Sequence, residues 1–272
     1  MKFADLHIHT AFSDGTDTPD ELIRKAAKAG LDAVAITDHD SVDAIPLAID
    51  SGIIHGVEVI PGIELTVEYE GMEIHILGYF LDYRNAALKE RLLLLEKARI
   101  ERIHGMVAKL NALGVKIDAD KIFALSGKGI VGRLHVARVM VSEGIISSIW
   151  EAFQKYIGNN GPAYVLGFRF SPQDAVKLIR LAGGIPVLAH PYALRRDDLI
   201  PKFVHYGIKG LEVYYPEHTN TMKNKYLRIC REYKLLATGG SDYHGKAKPD
   251  VSLGSLKVPY ELVELLREER NK

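Results

Sequence analysis

Two histidines, His7 and His9, stand two residues apart near the start of the chain. If this segment is a β-strand, alternate side chains point to the same face, so Asp5, His7 and His9 lie together. Leu6 and Ile8 then occupy the opposite face. Two strand positions span about 6.6 Å, so two imidazoles on one face can converge on a single cation. The pair alone is weak evidence for a metal site, because two histidines also occur on ordinary solvated strands.

Further histidines and carboxylates follow the short apolar runs that we interpret as parallel strands, or lie on an adjacent loop and hairpin. In a closed α/β barrel, the carboxyl ends of the strands surround one mouth, so side chains at these ends meet there. Six imidazoles and three carboxylates are too many for one ion. They suit two or three divalent cations such as Zn, Mn or Fe(II). The sequence therefore predicts a metal centre formed by His7, His9, Asp14, His39, Glu64, His75, His190, Asp242 and His244.

The segments around these residues alternate between strand and helix patterns. A capping box at Thr18-Pro19-Asp20-Glu21 predicts a helix that Gly30 ends. Residues 66–77 alternate around Gly71 as a hairpin does, which places His75 on the second arm. The strand before Glu64 is expected to end there. The other predicted strands cover residues 3–9, 31–37, 185–189, 210–214 and 236–240, and further helices cover 42–51, 171–182, 197–206 and 219–233.

Strand signals are absent from the middle of the chain, which is rich in Leu, Arg, Lys and Glu. A long amphipathic helix is predicted over residues 86–113, with shorter helices around 119–125, 132–143 and 149–156. We interpret residues 83–163 as a helical insertion domain. Residues 1–82 and 164–272 then form the catalytic barrel. The alternative is that these helices are ordinary outer helices of a barrel.

Composition excludes several classes of protein. The 272 residues include 35 basic and 35 acidic side chains, and this zero net charge gives no global field for binding nucleic acid or a membrane surface. The single cysteine, Cys230, excludes an intrachain disulfide and fits a reducing, cytoplasmic setting. No apolar run approaches the ~18 residues of a membrane span, and no signal region opens the chain. We expect no membrane association and no obligate protein partner.

Six motifs together resemble the PHP (polymerase and histidinol phosphatase) superfamily. They are Asp5-Leu6-His7-Ile8-His9-Thr10 with Ser13-Asp14-Gly15, Ile36-Thr37-Asp38-His39-Asp40, Pro61-Gly62-Ile63-Glu64, His75-Ile76-Leu77-Gly78-Tyr79, Ala189-His190-Pro191 and Gly240-Ser241-Asp242-Tyr243-His244. The resemblance implies an α/β fold, a distorted (β/α)7 TIM-like barrel. It also implies a trinuclear metal site and phosphoesterase activity by attack of a metal-activated hydroxide on phosphorus, with Glu64 and Asp242 as catalytic ligands.

The resemblance also divides the ligands among three ions, with Glu64 as the bridge between two of them. The implied ligand sets are, in turn, His7, His9, Glu64 and Asp242; Glu64, His75 and His190; and Asp14, His39 and His244. From the residues themselves, we expect Asp38 and Asp40 to orient these ligands by accepting imidazole N–H bonds.

The helical insertion resembles a subgroup that acts on nucleoside 3′,5′-bisphosphates or trims RNA from its 5′ end. In that subgroup, arginines of the insertion bind the substrate phosphate. Arg99 and Arg102 lie three apart on one helix face, and Gly132-Arg133-Leu134-His135 resembles the subgroup's Gly-Arg-x-His element. Arg99, Arg102, Arg133 and His135 are therefore predicted to bind substrate, although Arg99 and Arg102 could instead form solvated ion pairs. Arg133 would also neutralise charge during catalysis.

His218 follows a predicted strand and is a candidate to bind substrate and protonate the leaving group, although a plain surface histidine is an equal alternative. Aromatic side chains that could stack on a base, or merely pack in the barrel wall, are Tyr164, Phe168, Tyr214 and Tyr215.

The predicted substrate is a small phosphorylated nucleotide or a short oligoribonucleotide, and three alternatives remain. A histidinol-phosphate phosphatase needs no arginine-bearing insertion. An amidohydrolase typically bridges its metals with a carbamylated lysine, whereas this chain offers Glu64 at the corresponding strand. A non-catalytic module that binds nucleic acid would bind RNA with strong salt dependence and without turnover.

Overall fold

Eight strands form one sheet in the part of the chain that the computed structural model describes, residues 1–127, 129–167 and 170–272. Phe168, predicted as a stacking residue, lies outside these ranges. The order across the sheet is β7-β6-β5-β4-β3-β2-β1-β8. The strands are β1 (Phe3–Ile8), β2 (Ala33–Ile36), β3 (Glu58–Tyr69), β4 (Met72–Tyr79), β5 (Ile185–Leu188), β6 (Gly210–Tyr214), β7 (Leu236–Gly239) and β8 (Val258–Pro259).

The sheet is distorted relative to an all-parallel barrel, because β4, in the middle of the strand order, is antiparallel to both of its neighbours. Strands β1, β2 and β3 are parallel, and so are β5, β6 and β7. Strand β4 is antiparallel to both β3 and β5, and it forms the predicted hairpin with β3 around Gly71. The predicted α/β class and distorted TIM-like barrel are confirmed.

The barrel closes where β1 meets the segment that follows β7. The backbone N–H of His9 donates to the Tyr243 carbonyl at 2.9 Å, and that of Asp242 donates to the His7 carbonyl at 2.8 Å. Gly240 permits this approach, because a Cβ atom there would lie 2.3 Å from the His7 nitrogen. Closure therefore brings the first and last predicted ligands together.

Ten α-helices lie in the described residues, and none of these is long and apolar enough to cross a membrane. A capping box begins the first helix, as predicted, since Thr18 and Glu21 exchange side-chain and backbone bonds. The helices are α1 (Pro19–Lys28), α2 (Ile45–His55), α3 (Ala86–Ala112), α4 (Ala119–Ser126), α5 (Arg133–Ser142), α6 (Ile149–Ala152), α7 (Pro172–Leu181), α8 (Ile200–Tyr206), α9 (Asn220–Tyr233) and α10 (Glu261–Arg270), and a π-helical turn, Phe153–Ile157, continues α6.

Three apolar clusters hold these elements together. One fills the barrel and includes Leu6 and Val187, and a second lies between the barrel and its outer helices. A third cluster, which includes Met106 and Val136, belongs to the middle of the chain. Helix α3 contributes Leu88 to the barrel side and Met106 to the third cluster, so it is shared between the two bodies. The division at residues 83 and 163 stays a prediction.

Two expectations about individual elements are wrong, and two elements were not predicted. The pairing of β1 with β2 shifts register between Asp5 and Ile8, and the alternation of side chains breaks there. Leu6 consequently packs inside the barrel, whereas Ile8 packs beneath the outer helices. Strand β3 does not end at Glu64 but continues to Tyr69, because β4 pairs with its second half. The sequence patterns also gave no sign of β8 and α10, which follow the last motif.

Replacing Gly240 with alanine should destabilise the barrel by about 3 kcal/mol, because the new methyl group overlaps the backbone of His7. Urea unfolding of the metal-free protein measures the change. Gly105→Ala is the matched control. Gly105 lies in helix α3, where alanine is favoured, and the new methyl group would meet only the side chain of Val165. Equal stability of the two variants would contradict the proposed closure.

Candidate metal centre

The carboxylate of Glu64 lies at the centre of five imidazoles and is buried. Its Oε2 atom lies 3.1 Å from His9 Nε2 and 3.2 Å from both His7 Nε2 and His39 Nδ1. Its Oε1 atom lies 2.9 Å from His75 Nδ1 and 3.1 Å from His190 Nε2. The two oxygens therefore face different sets of histidines, as a carboxylate that bridges two cations does.

Asp242, Asp14 and His244 complete the group on the side of His9. Asp242 Oδ1 lies 3.2 Å from His9 Nε2, and Asp14 Oδ1 lies 3.2 Å from His244 Nε2. The rings of His9 and His244 stack with their centroids 4.0 Å apart. All nine predicted ligands are thus brought together, and we call these nine residues the metal-binding cluster.

The ligand atoms of the metal-binding cluster form three groups by distance, and these groups agree only in part with the three ligand sets that the family resemblance implies. Ligand atoms within 4.8 Å of one another form three sets, and His9 and His39 each belong to two of them. The sets are His9, Asp14, His39 and His244; His7, His9 and Asp242; and His39, Glu64 and His75. The assignment of each ligand to an ion stays a prediction.

Two residues of the cluster hold backbone conformations that are uncommon for residues with side chains. Asp242 has a φ of 54° and His190 a φ of 24°. Such conformations cost about 1–3 kcal/mol and persist where the surroundings fix them. Here the Asp242 N–H donates to the His7 carbonyl at 2.8 Å, and the His190 N–H donates to Glu212 Oε2 at 2.7 Å. The fold therefore directs these two side chains into the cluster at the cost of backbone strain.

The donor atoms of the cluster fit divalent cations. Two ligands that are each about 2.1 Å from one cation lie about 3.0 to 3.4 Å apart, the spacing found around Glu64. Four cluster atoms are buried without a hydrogen-bond partner in the protein, namely His7 Nε2, His9 Nε2, Asp14 Oδ1 and His39 Nδ1. Buried polar atoms are rarely left unsatisfied, so these atoms require a ligand. Imidazole and carboxylate together suit Zn, Mn or Fe(II).

The surrounding charges keep the central carboxylates ionised. Burial alone raises a carboxyl pKa, but the charges of His39, His75 and His7 outweigh it and hold the pKa of Glu64 well below its usual value. Burial likewise opposes ionisation of Asp242, and Lys248 and His7 overcome it, so its pKa is also well below the usual range. Both groups are therefore available as anionic ligands.

Two carboxylates that the sequence analysis missed orient the histidines. Glu212 Oε1 lies 2.8 Å from His7 Nδ1, and Glu73 Oε1 lies 3.3 Å from His75 Nε2. In each histidine, one ring nitrogen contacts Glu212 or Glu73 and the other ring nitrogen faces Glu64. This arrangement fixes the imidazole tautomer. The sequence offered one signal for Glu212 and Glu73: each is a carboxylate inside a strand, as the histidines that they contact also lie inside strands.

The prediction that Asp38 and Asp40 accept imidazole N–H bonds is wrong. Asp38 accepts bonds from the Thr10 N–H at 2.7 Å and from the Ser13 hydroxyl at 2.6 Å. Asp40 is paired with Arg99 instead. Both carboxylates follow β2, where they reach neighbouring loops and the insertion rather than the imidazole rings.

A cavity of about 360 Å³ opens onto the metal-binding cluster. Arg99, Arg102, Arg133 and Lys248 also line it, so four cationic side chains face the same space as the cluster. Lys248 Nζ donates to Asp242 Oδ2 at 2.5 Å, as does the Tyr215 hydroxyl at 2.7 Å. Lys248 was not predicted, because it lies beyond the last motif on a segment without a periodic pattern.

Arg102 and Arg133, both predicted to bind substrate, meet at one carboxylate. Arg102 Nη2 lies 2.8 Å from Glu73 Oε2, and Arg133 Nη2 lies 2.7 Å from Glu73 Oε1. The aromatic ring of Tyr164 packs against both guanidinium groups, at 5.4 Å and 5.6 Å from its centroid. Tyr164 therefore supports the arginines, and Tyr214 packs with the core clusters.

Arg99 lines the cavity, but its guanidinium is engaged within the protein. Nε donates to Asp40 Oδ2 and Nη2 to the Thr66 hydroxyl, each at 2.7 Å, while Nη1 donates to the Val131 carbonyl at 3.3 Å. These partners come from the barrel and from the segment before α5. Arg99 thus joins helix α3 to the barrel, and its role in binding substrate stays a prediction.

The two predicted histidines outside the metal-binding cluster are buried. His135 Nδ1 accepts the Gly132 N–H at 3.1 Å, and burial lowers its pKa to about 4, so the ring is neutral. His218 Nδ1 donates to the Val213 carbonyl at 2.8 Å, and its Nε2 is buried without a partner. The His218 ring packs against Tyr192 and Tyr215, which line the cavity in front of it. Its role as a proton donor stays a prediction.

Comparison with protein families and known proteins identifies similar chains. The model of the PHP domain matches residues 5–162. A phosphoribosyl 1,2-cyclic phosphate 1,2-diphosphodiesterase of Eggerthella lenta is 31% identical over 89% of this chain and 94% of that protein. A 3′,5′-nucleoside bisphosphate phosphatase of Chromobacterium violaceum is 32% identical over 93% of this chain and 91% of that protein. A 5′-3′ exoribonuclease of Haemophilus influenzae is 31% identical, covering 88% and 89%.

Solved structures with the same fold include two that cover nearly the whole chain. A Bifidobacterium adolescentis protein described as a metal-dependent phosphoesterase superposes with a TM-score of 0.89 at 30% identity, covering 97% of this chain and 94% of that one. A Chromobacterium violaceum protein described as an amidohydrolase, solved with sulfate and no metal, has a TM-score of 0.89 at 29% identity, covering 98% and 96%. The predicted resemblance is confirmed.

Glu212→Gln should weaken metal binding by about 10- to 100-fold, because the amide no longer fixes the tautomer and orientation of His7. Competition for Mn or Zn with a fluorescent chelator measures the affinity. Glu232→Gln, an exposed change on α9, is the control. Wild-type affinity in the Glu212 variant would remove this residue from the metal centre.

Arg99→Gln should cost about 3–5 kcal/mol of stability, because it leaves the Asp40 carboxylate buried without its partner. Urea unfolding measures the loss, and the double variant Arg99→Gln/Asp40→Asn should recover part of it. A fully stable Arg99→Gln variant with a raised KM would instead assign Arg99 to substrate binding.

Proposed function

Because this chain belongs to the PHP domain family, we propose that the phosphoric esters that it hydrolyses are those of nucleotides. Hydrolysis of a phosphoric ester by a metal-dependent enzyme is the activity of the chain. The substrates we propose are a nucleoside 3′,5′-bisphosphate, which loses its 3′-phosphate, or a short RNA, which loses nucleotides from its 5′ end.

One observation carries this proposal: seven of the nine residues of the metal-binding cluster and the pair Arg102 and Arg133 line the same cavity. A monoester such as histidinol phosphate has a single phosphate group, and the cluster alone suffices for it. A nucleotide with two phosphates, or with a phosphodiester, places a second anion beside the first. Guanidinium groups bind phosphate oxygens through several donors at once, so they suit this second anion.

We propose that three divalent cations, of Mn, Zn or Fe(II), bind the nine residues of the cluster in the sets implied by the family resemblance. Cations held there would polarise the phosphoryl group and lower the pKa of a water molecule that attacks phosphorus. Glu64 and Asp242 would supply anionic oxygen ligands, Arg133 would neutralise charge that grows on phosphoryl oxygens, and Lys248 adds a further positive charge beside Asp242.

Residues from the middle of the chain line part of the cavity, and this supports a role for that segment as a cap over the metal-binding cluster. Arg133, Ile149 and Phe153 line the cavity together with barrel residues. We therefore propose that residues 83–163 form a cap domain over a catalytic barrel made of 1–82 and 164–272.

Two competing functions fit less well. Histidinol phosphate carries an amine that needs an acidic partner, and the described lining offers only Glu73 outside the metal-binding cluster. Glu73 is already paired with two arginines. A module that only binds nucleic acid would not require nine ligand side chains in one buried cluster.

Phosphate or nucleotide release by the Mn-loaded protein from four substrates tests the proposal. They are adenosine 3′,5′-bisphosphate, a 5′-phosphorylated RNA oligonucleotide, histidinol phosphate and a ribose 1,2-cyclic phosphate. We expect the highest kcat/KM for one of the first two, and the better of them tells whether the cavity admits a chain. Preference for either of the others would contradict the nucleotide assignment while leaving phosphoester hydrolysis in place.

Arg133→Ala should lower kcat/KM for the preferred nucleotide by about 10- to 100-fold, because charge-assisted hydrogen bonds to phosphate are lost. Metal content, measured by elemental analysis, should stay at the wild-type value. Arg231→Ala, an exposed change on α9, serves as the control. Loss of metal together with activity would mean that Arg133 supports the metal centre rather than the substrate.

A further inference from the structure

Glu73 joins two parts of the site that come from different parts of the chain. It lies on β4, two residues before His75, and its side chain is only 11% exposed. Each carboxylate oxygen contacts one arginine, Arg133 at 2.7 Å and Arg102 at 2.8 Å. The oxygen that faces Arg133 also lies 3.3 Å from His75 Nε2. One side chain thus touches both the metal-binding cluster and the pair of arginines.

The other hydrogen-bond acceptors of the two arginines lie in residues 157–165, outside the strands of the sheet. Arg102 Nε donates to the Val165 carbonyl at 2.8 Å, and Arg133 Nη1 donates to the Asn159 side chain at 2.8 Å. Glu73, on β4, is therefore the strand residue that fixes where these guanidinium groups stand relative to the metal-binding cluster. Its single negative charge also offsets one of their two positive charges, which limits their mutual repulsion.

We propose that Glu73 is a positioning residue that sets the spacing between the arginine pair and the metal-binding cluster, and thereby makes the enzyme select substrates with a second phosphate group. This inference rests on the proposed function. With Glu73 in place, the pair keeps one net positive charge at a fixed distance from the reacting phosphate. A second phosphate at that distance is bound, and a substrate without one gains nothing from the arginines.

The simpler alternative is that Glu73 only ties the insertion to the barrel. A purely structural role predicts that its loss affects all substrates equally. A positioning role predicts a change in the preference for one substrate over another, and this ratio is independent of any loss of folded or metal-loaded protein.

The test compares Glu73→Gln with the wild type on adenosine 3′,5′-bisphosphate and adenosine 3′-monophosphate, which share the 3′-phosphate ester that is cleaved and differ only in the 5′-phosphate. We expect the ratio of their kcat/KM values to fall by about tenfold, mainly through a higher KM for the bisphosphate. Glu68→Gln is the matched control, because Glu68 lies directly across the hairpin from Glu73 and does not contact the arginines. An unchanged or increased ratio would overturn the inference.

A second measurement needs no catalysis. Adenosine 5′-monophosphate is titrated calorimetrically into metal-free wild-type protein and the two variants. We expect about tenfold weaker binding to Glu73→Gln alone, and equal binding to all three would overturn the inference. If the metal-loaded wild type hydrolyses neither nucleotide, the proposed function fails, and this titration still decides whether Glu73 positions a phosphate site.

Discussion

Burial of the Glu64 carboxylate among five imidazoles is the constraint on which the rest of the structure depends. A buried carboxylate is costly unless positive charge balances it, and the buried ring nitrogens of His7 and His9 are costly unless each has a partner. Four atoms of the metal-binding cluster are buried without a hydrogen-bond partner within the protein, and these donor atoms fit bound cations. The barrel supplies the geometry: β1, β3, β4 and the segment after β7 each bring part of the cluster to one mouth.

Paired charges also join the middle of the chain to the barrel. Arg99 reaches Asp40 after β2, and Arg102 and Arg133 reach Glu73 on β4. Helix α3 also packs Leu88 in the cluster beneath the outer helices and Met106 in the cluster of the middle of the chain. These ion-paired residues also line the cavity, so the contacts that join the middle of the chain to the barrel strands also shape the space in front of the metal-binding cluster.

Sequence patterns were sufficient to predict the fold class and to predict that the nine residues of the cluster would lie close together, because strand ends and ligand types recur together along the chain. They were insufficient where the outcome depends on tertiary pairing. The register shift in β1 and the extension of β3 beyond Glu64 arise from neighbouring strands. Glu212 and Glu73 were missed because a carboxylate within a strand has no local signature of the histidine or arginine that it will meet.

We propose above that cations bind within the metal-binding cluster, and the geometry of Glu64 points to a carboxylate shared between two of them. Anomalous X-ray diffraction from a crystal of the Mn-loaded protein, recorded on both sides of the Mn absorption edge, tests this most directly. We expect Mn peaks within the cluster, two of which contact opposite oxygens of Glu64. Mn bound elsewhere on the protein, with no peak beside Glu64, would contradict it.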